Sequence, residues 1–405
     1  MKKYTLLYFL PILMLSNVML QAHDDAIFIA KKRSPFFSFK KDNFTMNVAL
    51  GVLTDYTLFD QDENNIKQVG KQKNQFDLRA ARAALYGKFN LWGEKINYFV
   101  ACGFSDYMTR DSKTLCTLFD AMLSYTLPGN YGVINIGKMK EPWSYEMVGD
   151  SASLIQHERF LSPLFQSRNV GIRYNNTYLD KFGTVAIGFF NDWVEKHYGF
   201  EDSSHQITGR ITAVPYISDD NMDYLHLGFS ARFNAGDNNT LRYRGKPESN
   251  VADFFLDTGT LEAKHAVEFG LEALWSYHGV SILGEYLQSN VSSKSLQNPT
   301  FNGWYIAGGW VLTGESRVYD KNVGYARRII PQKRYGALEL IGRYGDVNLN
   351  DAMVHGGEMK KWMLGFNWWI DPYWKASVSY GTVTLDRDNM QGKSDIALFR
   401  LQWFR

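Results

Sequence analysis

The sequence predicts an all-β fold: a transmembrane antiparallel β-barrel of about sixteen strands, with one loop folded into its lumen. Three observations predict this fold. The chain begins with an export signal, it continues as short runs with a period of two, and its composition is aromatic yet polar on average. Aromatic residues make up 15% of the chain, which has 34 glycines, 10 prolines and a mean hydropathy of −0.30. Such a composition fits strands that alternate between lipid and a polar interior.

The first 22 residues are typical of a secretory signal peptide. Two lysines precede an apolar run at residues 6–20, which ends near Ala22. This run is too short for a spanning helix, so we expect cleavage near Ala22 and export of the remaining chain. Residues 23–43 are charged and lack a period, and we interpret them as a periplasmic lead-in. Residues 44–405 form the predicted outer-membrane barrel domain.

Period-two runs follow one another after Phe44. In residues 225–233, for example, leucine, phenylalanine and alanine alternate with polar or small residues, and residues 267–276 and 374–381 are similar. Because successive strand side chains point to opposite faces, each run has one apolar and one polar face. A soluble β-sandwich also alternates, but its strands are shorter and so long a chain would divide into domains. Aromatic residues near run ends predict interfacial girdles: Trp304, Trp310, Trp368, Trp374 and Tyr380.

The connections between runs differ in length. Short turns at His278–Gly279 and Asp371–Pro372 alternate with longer polar connections at 190–206, 289–300 and 314–334. We expect the short turns at the periplasmic side and the long connections at the extracellular side.

One long connection, between Gly137 and Tyr174, is predicted to fold into the lumen. A loop of this length is usually functional or disordered, and apolar residues such as Trp143 and Phe160 argue against disorder. Its cations would then face a passing anion, whereas the alternative is an exposed loop with solvated side chains. The cations of this stretch are Lys138, Lys140, Arg159, Arg168 and Arg173.

Cysteine and histidine spacing predicts no catalytic or metal site. An oxidising compartment permits a disulfide between Cys102 and Cys116, whose spacing could span a hairpin, but the spacing alone leaves the pairing open. The eight histidines are scattered, and no nucleophile elbow, P-loop, HExxH or Rossmann glycine pattern occurs. We therefore expect no cofactor, no metal, no enzymatic activity and no nucleic-acid partner. The formal net charge of +2 indicates no partner by itself.

Eight short segments, in order along the chain, carry a resemblance to a known family. They are LRAARAALYGK at 78–88, FDA at 119–121, GKMKEP at 137–142, ER at 158–159, RNVG at 168–171, RYRGKPE at 242–248, LTGESR at 312–317 and GALEL at 336–340. From about Gln75 onward the chain resembles the phosphate-selective porin O and P family. The resemblance implies a sixteen-stranded, trimeric outer-membrane channel with an inward loop and a lumen of arginines and lysines that passes phosphate-like anions.

One position departs from the family pattern, and another departs from the pattern of outer-membrane barrels in general. The family commonly has adjacent arginines at the start of the second strand, whereas here Ala80 follows Arg79. The closing strand usually ends on an aromatic residue, whereas here Arg405 follows Phe404. Fewer cations at the constriction would weaken anion binding or shift the substrate.

Candidate anion-binding residues follow from strand geometry and from the resemblance. Arg79 and Arg82 are three residues apart, so they face opposite ways unless a bulge intervenes. The resemblance favours Arg79 for the pore, which leaves Arg82 for a rim or subunit contact. Arg242, Arg244 and Lys246 share one face at period two; the alternative is an exposed basic edge.

The remaining candidates come from the inward loop and its surroundings. Asp120 fits either an acid that orients an arginine or an ordinary lumen carboxylate, and Arg159 beside Glu158 fits either the constriction or a loop salt bridge. The predicted site comprises Arg79, Asp120, Lys140, Arg159, Arg168, Arg242, Arg244 and Lys246. Ordinary lumen lining is expected of Arg173, Arg232, Arg343, Lys375 and Arg400.

The hypothesis is a passive outer-membrane channel selective for anions such as phosphate or polyphosphate. Arginine binds phosphate oxygens in pairs and stays charged, and a pore selects anions with such cations. The expected partners are inorganic phosphate or similar small anions, outer-membrane lipid and two further copies of the chain. Alternatives are a general diffusion porin without phosphate preference, an adhesive barrel that binds partners through its loops, and a barrel hydrolase.

Overall fold

A computed structural model describes residues 35–104, 116–165, 168–192 and 204–405. The predicted signal peptide lies outside these residues. Within them, sixteen antiparallel strands form the barrel wall. In chain order the strands are β1 Phe44–Gln61, β2 Gln75–Leu91, β3 Glu94–Gly103, β4 Thr117–Thr126, β5 Val133–Lys140, β6 Arg168–Tyr178, β7 Gly183–Asn191, β8 His205–Ile217, β9 Tyr224–Ala235, β10 His265–Tyr277, β11 Val280–Ser292, β12 Thr300–Val311, β13 Ala337–Asp351, β14 Val354–Trp369, β15 Trp374–Arg387 and β16 Met390–Phe404.

The sheet closes on itself. Each strand pairs with the next, and β16 pairs with β1 from Phe404 opposite Gly51 to Ser394 opposite Gln61. Closure leaves no strand edge, so every wall strand satisfies its backbone groups within the sheet, as lipid requires. The predicted transmembrane barrel is therefore confirmed.

A short strand extends the wall at its seam. Phe37–Lys41 forms a hairpin with the first residues of β1 and pairs with them on the edge where β16 ends. The segment interpreted as a lead-in, residues 23–43, thus ends in a strand that belongs to the sheet.

The two barrel ends differ in their connections. Arg405 and the turns at 92–93 and 278–279 lie at one end, while most of the long connections lie at the other. Short turns mark the periplasmic end of such barrels. The expectation that residues 314–334 form an extracellular loop is wrong: this connection follows β12, and every even-numbered strand ends on the periplasmic side.

The outer face is apolar and carries aromatic residues. Trp310, Trp368 and Trp374 lie near the periplasmic end and point outward, where they are 40–53% exposed. Farther along the same strands, Trp362 and Tyr380 contact each other with ring centroids 5.9 Å apart. Apolar side chains such as Leu364, which is 63% exposed, lie between these two belts. The arrangement fits a hydrocarbon band flanked by interfacial aromatics.

Among the described residues, three connections fold into the lumen, and only the first was predicted to do so. They are the entry loop (residues 141–165), the vestibule loop (residues 236–264) and the periplasmic loop (residues 312–336). Their buried apolar residues share one hydrophobic core with the wall. The entry and periplasmic loops meet where the rings of Tyr145 and Tyr325 lie 4.7 Å apart.

The connections also carry short elements, and no helix among the described residues is long and apolar enough to cross a membrane. The helices in the described ranges are α1 Glu63–Val69 and α2 Tyr145–Val148, with single 3₁₀ turns at Pro128–Asn130 and Ser162–Leu164. The paired two-residue strands there are Thr240–Leu241 with Leu261–Glu262, Arg244–Gly245 with Leu256–Asp257, and Tyr319–Asp320 with Tyr325–Ala326.

Candidate functional site in the lumen

Glu158 fastens the entry loop to two wall strands. Its carboxylate accepts hydrogen bonds from Arg79 Nε at 2.7 Å and Nη2 at 2.9 Å, and from Arg400 Nη2 at 2.6 Å. Arg400 also binds Asp55 of β1 through two bonds of 2.7 Å. Burial opposes ionisation of Glu158, but Arg79 and Arg400 outweigh it and hold the pKa of this carboxyl well below its usual range. The loop therefore has a charged clamp near the strand seam.

A β-bulge in β2 brings two arginines to the lumen. Leu78 and Arg79 together stand opposite the single residue Thr54 of β1. A bulge shifts the alternation by one residue, so Arg79 reaches Glu158 and Arg82 also points inward. The prediction that Arg82 lies at a rim or subunit contact is therefore wrong.

Phe119 supports two of the inward arginines. The ring centroid lies 4.8 Å from the guanidinium carbon of Arg82 and 5.4 Å from that of Arg168. Phe119 is itself the extra residue of a bulge where β3 pairs with β4. Its ring packs on Gly103, where an added Cβ would lie 2.3 Å from a ring carbon. Glycine is thus required at position 103, beside the ring. The guanidinium groups of Arg82 and Arg168 are both within cation–π range of this ring.

A disulfide closes the chain beside this bulge. Cys102 and Cys116 are bonded, with their Cα atoms 5.7 Å apart. Cys102 is the neighbour of Gly103, on which Phe119 packs. The disulfide that the spacing left open is therefore present, next to the ring that supports Arg82 and Arg168.

Asp120 orients one arginine. Its buried carboxylate accepts hydrogen bonds from Arg168 Nε at 3.0 and 3.1 Å. Arg159 instead donates to backbone carbonyls, from Nε to Glu146 at 2.5 Å and from Nη2 to Gly149 at 2.9 Å. Burial, together with the nearby charge of Arg168, lowers the pKa of Arg159.

Among the lumen cations described in this region, Arg82 has the least protein pairing. It is partly exposed, its buried Nε makes no hydrogen bond, and none of the described residues forms an ion pair with it. Guanidinium has five donors, so this arginine can donate to an external anion without losing a bond to any described residue. We call Arg82, Arg159, Arg168, Phe119 and Asp120 the Phe119 cluster.

Cations outnumber anions where the Phe119 cluster meets the clamp of the entry loop. Among the described residues, those whose charges interact there are Arg79, Arg82, Arg159, Arg168 and Arg400 on the positive side, and Asp55, Asp120, Glu146 and Glu158 on the negative side. An excess of inward positive charge attracts anions and repels cations.

Lys140 has a structural position. It is buried and its Nζ donates to the carbonyl of Gly149 at 2.9 Å. Arg173 similarly donates to the carbonyl of Lys140 at 3.0 Å. Both side chains hold the start of the entry loop.

The vestibule loop presents the other predicted cations. Arg242 binds Asp257 at 2.5 and 2.8 Å and remains 44% exposed. Arg244 lies 4.4 Å and Lys246 5.3 Å from the ring centroid of Phe254. Arg242 and Arg244 line an open cavity of about 520 Å³ toward the extracellular end, together with Phe254. These cations lie in a folded loop and not in a barrel strand, and the structure does not bring them into the Phe119 cluster.

Most other inward arginines are neutralised by carboxylates. Arg232 is bound by Glu141 and Glu268, each at 2.8 Å. Arg343 binds Glu146 at 3.0 Å and also contacts Glu248. These pairs connect the inward loops to the wall, because both arginines lie in wall strands and each binds at least one carboxylate from an inward loop.

Sequence reasoning missed Arg82 and Phe119. Both belong to segments that carried the family resemblance, LRAARAALYGK and FDA. With Arg79 placed inward, a strict period of two nevertheless assigned Arg82 outward, since a bulge that shifts the alternation leaves no mark in the sequence. Among the described residues no group of three or more histidine, cysteine, aspartate or glutamate side chains could hold a metal ion.

The fold and this site define a class of protein: an outer-membrane β-barrel channel whose lumen is narrowed by inward loops. The chain belongs to the phosphate-selective porin O and P family, whose model matches residues 46–403. The protein is therefore an outer-membrane porin. A stretch of 195 residues is also 30% identical to an uncharacterised protein of Caulobacter vibrioides, and it covers 45% of this chain and 38% of that protein.

Solved structures share the fold. The anion-selective porin from Comamonas acidovorans has a TM-score of 0.58 at 14% identity, covering 89% of this chain and 100% of that one. The outer-membrane channel DcaP of Acinetobacter baumannii has a TM-score of 0.55 at 13% identity, covering 91% and 99%. In-vitro folded OmpT, an outer membrane protein of Vibrio cholerae, has a TM-score of 0.58 at 10% identity, covering 91% and 99%.

Proposed function

We propose that this porin is a passive channel selective for small anions, with phosphate-like oxyanions as its preferred ligands. The observation that carries the proposal is Arg82, an inward guanidinium that Phe119 supports and that no described residue pairs. Family membership supports the same ligand class.

The Phe119 cluster supplies the chemistry for reversible binding. Arg82 offers unpaired donors to the oxygens of an oxyanion, and Arg159 and Arg168 add positive charge nearby. Asp120 holds Arg168 in place and limits the net positive charge. A balance of this kind allows an anion to enter and still leave, which conduction requires.

The vestibule cations recruit anions before they reach the cluster. Arg242 and Arg244 line the wide extracellular cavity, where long-range attraction raises the local anion concentration. Because these cations lie apart from the Phe119 cluster, anions are attracted at one place and selected at another. The predicted anion-binding role of Lys140 is replaced in this proposal by a structural one, since its ammonium is used within the loop.

Phosphate titration of the chloride current tests the proposal. Purified protein in a planar bilayer is expected to show a current that phosphate reduces in a saturable manner. Arg82→Gln removes a charge-assisted contact of about 1.5–3 kcal/mol, so the phosphate concentration for half block is expected to rise about tenfold or more. Arg334→Gln, at an exposed position of the periplasmic loop, is the matched control. Absence of block in the wild type would overturn the phosphate assignment and leave a general diffusion porin.

We also propose a homotrimer. The trimer form of Vibrio cholerae OmpT shares the fold with a TM-score of 0.54 at 10% identity. Light scattering of the detergent-solubilised protein, corrected for bound detergent, is expected to give three chains per particle. A mass of one chain would contradict this part of the proposal.

A further inference from the structure

The outer wall of the barrel has an open apolar pocket, about 510 Å³ in volume, that the passage of anions does not use. Gly209 of β8 and Ala231 of β9 stand opposite each other in the sheet and form its floor. We call this site the wall pocket, and its volume falls in the range of about 300–1,000 Å³ that small-molecule sites occupy. The large side chains around the floor are Ile187, Ile207, Ile211, Phe229 and Phe233.

Two small residues create the wall pocket. The five large side chains around it are 41–53% exposed, so they stand out from the sheet, while Gly209 and Ala231 leave a depression between them. Among the described residues, only the carbonyl oxygen of Ala186, at 3.7 Å, would lie within 4 Å of a Cβ added at Gly209. The floor is therefore open toward the membrane, and strand pairing fixes the side chains that surround it.

The wall pocket lies in the extracellular half of the membrane. Even-numbered strands begin at the extracellular end, and β8 begins at His205, four residues before Gly209. Four residues of a strand tilted by about 45° descend roughly 9 Å. Because the hydrocarbon core is about 30 Å thick, the floor of the pocket is within reach of lipids of the outer leaflet.

Two histidines lie above the wall pocket, at the level of lipid headgroups. His205 begins β8 and His265 begins β10, on either side of β9. The ring centroid of His265 lies 5.2 Å from that of Phe233, and the ring centroid of His205 lies 6.0 Å from that of Phe189. Since both phenylalanines are exposed on the outer face, the imidazoles also lie on that face. Lys264, exposed beside His265, adds an ammonium group.

This arrangement fits an amphiphile. The pocket is surrounded by apolar side chains, so its occupant is apolar, and a headgroup above it meets imidazole and ammonium donors. Such donors bind phosphate oxygens and sugar hydroxyls. A second copy of the chain fits less well, because the convex walls of two barrels touch at their protruding side chains and cannot fill a depression. A narrow, flexible acyl chain can fill it.

We propose that the wall pocket binds an acyl chain of a phosphorylated glycolipid of the outer leaflet, with the headgroup phosphate against His205, His265 and Lys264. The inference goes beyond the proposed function, because the pocket faces the lipid and not the lumen. A lipid held in this way keeps one position on the barrel, whereas the lipids around it exchange freely.

Lipid titration followed by native mass spectrometry tests the wall pocket. Detergent-solubilised protein is titrated with diphosphoryl lipid A, and with phosphatidylethanolamine as the reference lipid. The wild type is expected to bind lipid A several-fold more tightly than the reference. Gly209→Leu fills the floor and excludes about two methylene groups of the chain, so the dissociation constant for lipid A should rise about tenfold.

Gly308→Leu is the matched control. Gly308 alternates with the exposed residues Ile306 and Trp310 on β12, so it also faces outward. Among the described residues, only the carbonyl oxygen of Ser281, at 3.8 Å, would lie within 4 Å of its added Cβ. This variant should bind lipid A as the wild type does.

The headgroup contacts have their own test. The double variant His205→Gln with His265→Gln keeps the pocket but removes both imidazoles. The wild type should bind diphosphoryl lipid A several-fold more tightly than dephosphorylated lipid A, and the double variant should lose most of this difference. Gly209→Leu should instead weaken the binding of both lipids. A phosphate preference that is equal in the double variant and the wild type would overturn the placement of the headgroup.

Other outcomes would overturn the pocket itself. Lipid A binding that is unchanged in Gly209→Leu, or weakened equally in Gly308→Leu, would show that lipid does not occupy this site. Equal affinity of the wild type for lipid A and phosphatidylethanolamine would exclude a glycolipid site. A lower particle mass of Gly209→Leu in light scattering, with lipid binding intact, would show that a second copy covers this face. The channel proposal is tested separately, by phosphate block.

A photoreactive lipid keeps the test decisive if Gly209→Leu does not fold. Lipid A that carries a diazirine in an acyl chain, illuminated in the presence of the wild-type protein, should label peptides from β7, β8 and β9. Labelling spread evenly around the barrel would overturn the inference.

Discussion

At the scale of single residues, the lumen contains two kinds of cation. Some stabilise the protein through ion pairs, and others remain able to bind an external anion. Arg232, Arg343 and Arg400 are buried and bound by carboxylates, so removing one partner would leave a charge stranded. Arg82 has no such partner among the described residues. In the proposed channel, anion selection therefore depends on a few arginines such as Arg82 and not on the total number of lumen cations.

Phe119→Leu tests the role of the aromatic platform. Leucine keeps much of the apolar volume but removes the ring faces that stabilise Arg82 and Arg168, each by about 0.5–2 kcal/mol. We expect phosphate to block the chloride current several-fold more weakly, with the barrel still folded. Phe229→Leu, on the lipid-facing side where Phe229 is 43% exposed, is the matched control and should leave the block unchanged. An equal block in both variants would show that the ring does not position the arginines.

At the scale of elements, one acid fastens the entry loop to the strand seam. Glu158 connects the loop to β2 through Arg79 and to β16 through Arg400. Because the low pKa of Glu158 keeps it ionised, this clamp is fully formed above the unfolded pKa of about 4.3 and is lost only as pH falls through the lower folded value.

Glu158→Gln should loosen the entry loop at the strand seam. The neutral amide retains size but leaves Arg79 and Arg400 without one carboxylate, at a cost on the order of 1–3 kcal/mol. We expect larger and noisier single-channel conductance at neutral pH. Glu63→Gln, at the exposed start of α1, serves as the control. Wild-type conductance that stays constant from pH 7 to pH 5 is also expected, and a conductance in Glu158→Gln identical to wild type would reject the clamp.

The disulfide belongs to the same scale, because it fixes the junction of β3 and β4 beside the Phe119 bulge. Closing a loop of this size stabilises a chain by about 3 kcal/mol. Treatment with a reductant should therefore lower the thermal unfolding temperature and weaken phosphate block. The double variant Cys102→Ser with Cys116→Ser should resemble the reduced protein and be insensitive to reductant. A block unaffected by reduction would separate the disulfide from the site.

At the scale of the whole molecule, the sequence predicts the wall better than the lumen. Alternation along runs such as residues 225–233 arises from local geometry, so it predicts strands that the structure confirms. The bulges at Arg79 and Phe119 shift that alternation without any local mark, and Arg82 was misplaced for this reason. The clamp between Glu158 and Arg400 joins residues 242 positions apart, which no spacing in the sequence reveals.

The periplasmic loop was misplaced for a topological reason. Its length is typical of an extracellular loop, and only counting strands from β1 shows that residues 312–336 lie at the periplasmic end. Length alone thus assigns a loop to the wrong side where a periplasmic connection folds into the lumen. The buried anchors Arg317 and Tyr319 could not be recognised without the wall residues that they contact.

The reversal potential under a potassium chloride gradient tests the central claim most directly. The excess of inward arginines around Phe119 predicts that chloride is more permeant than potassium, so the potential should have the sign of an anion-selective pore. Arg82→Gln should move it toward zero, and Arg334→Gln should not. A reversal potential with the sign of a cation-selective pore would contradict the account.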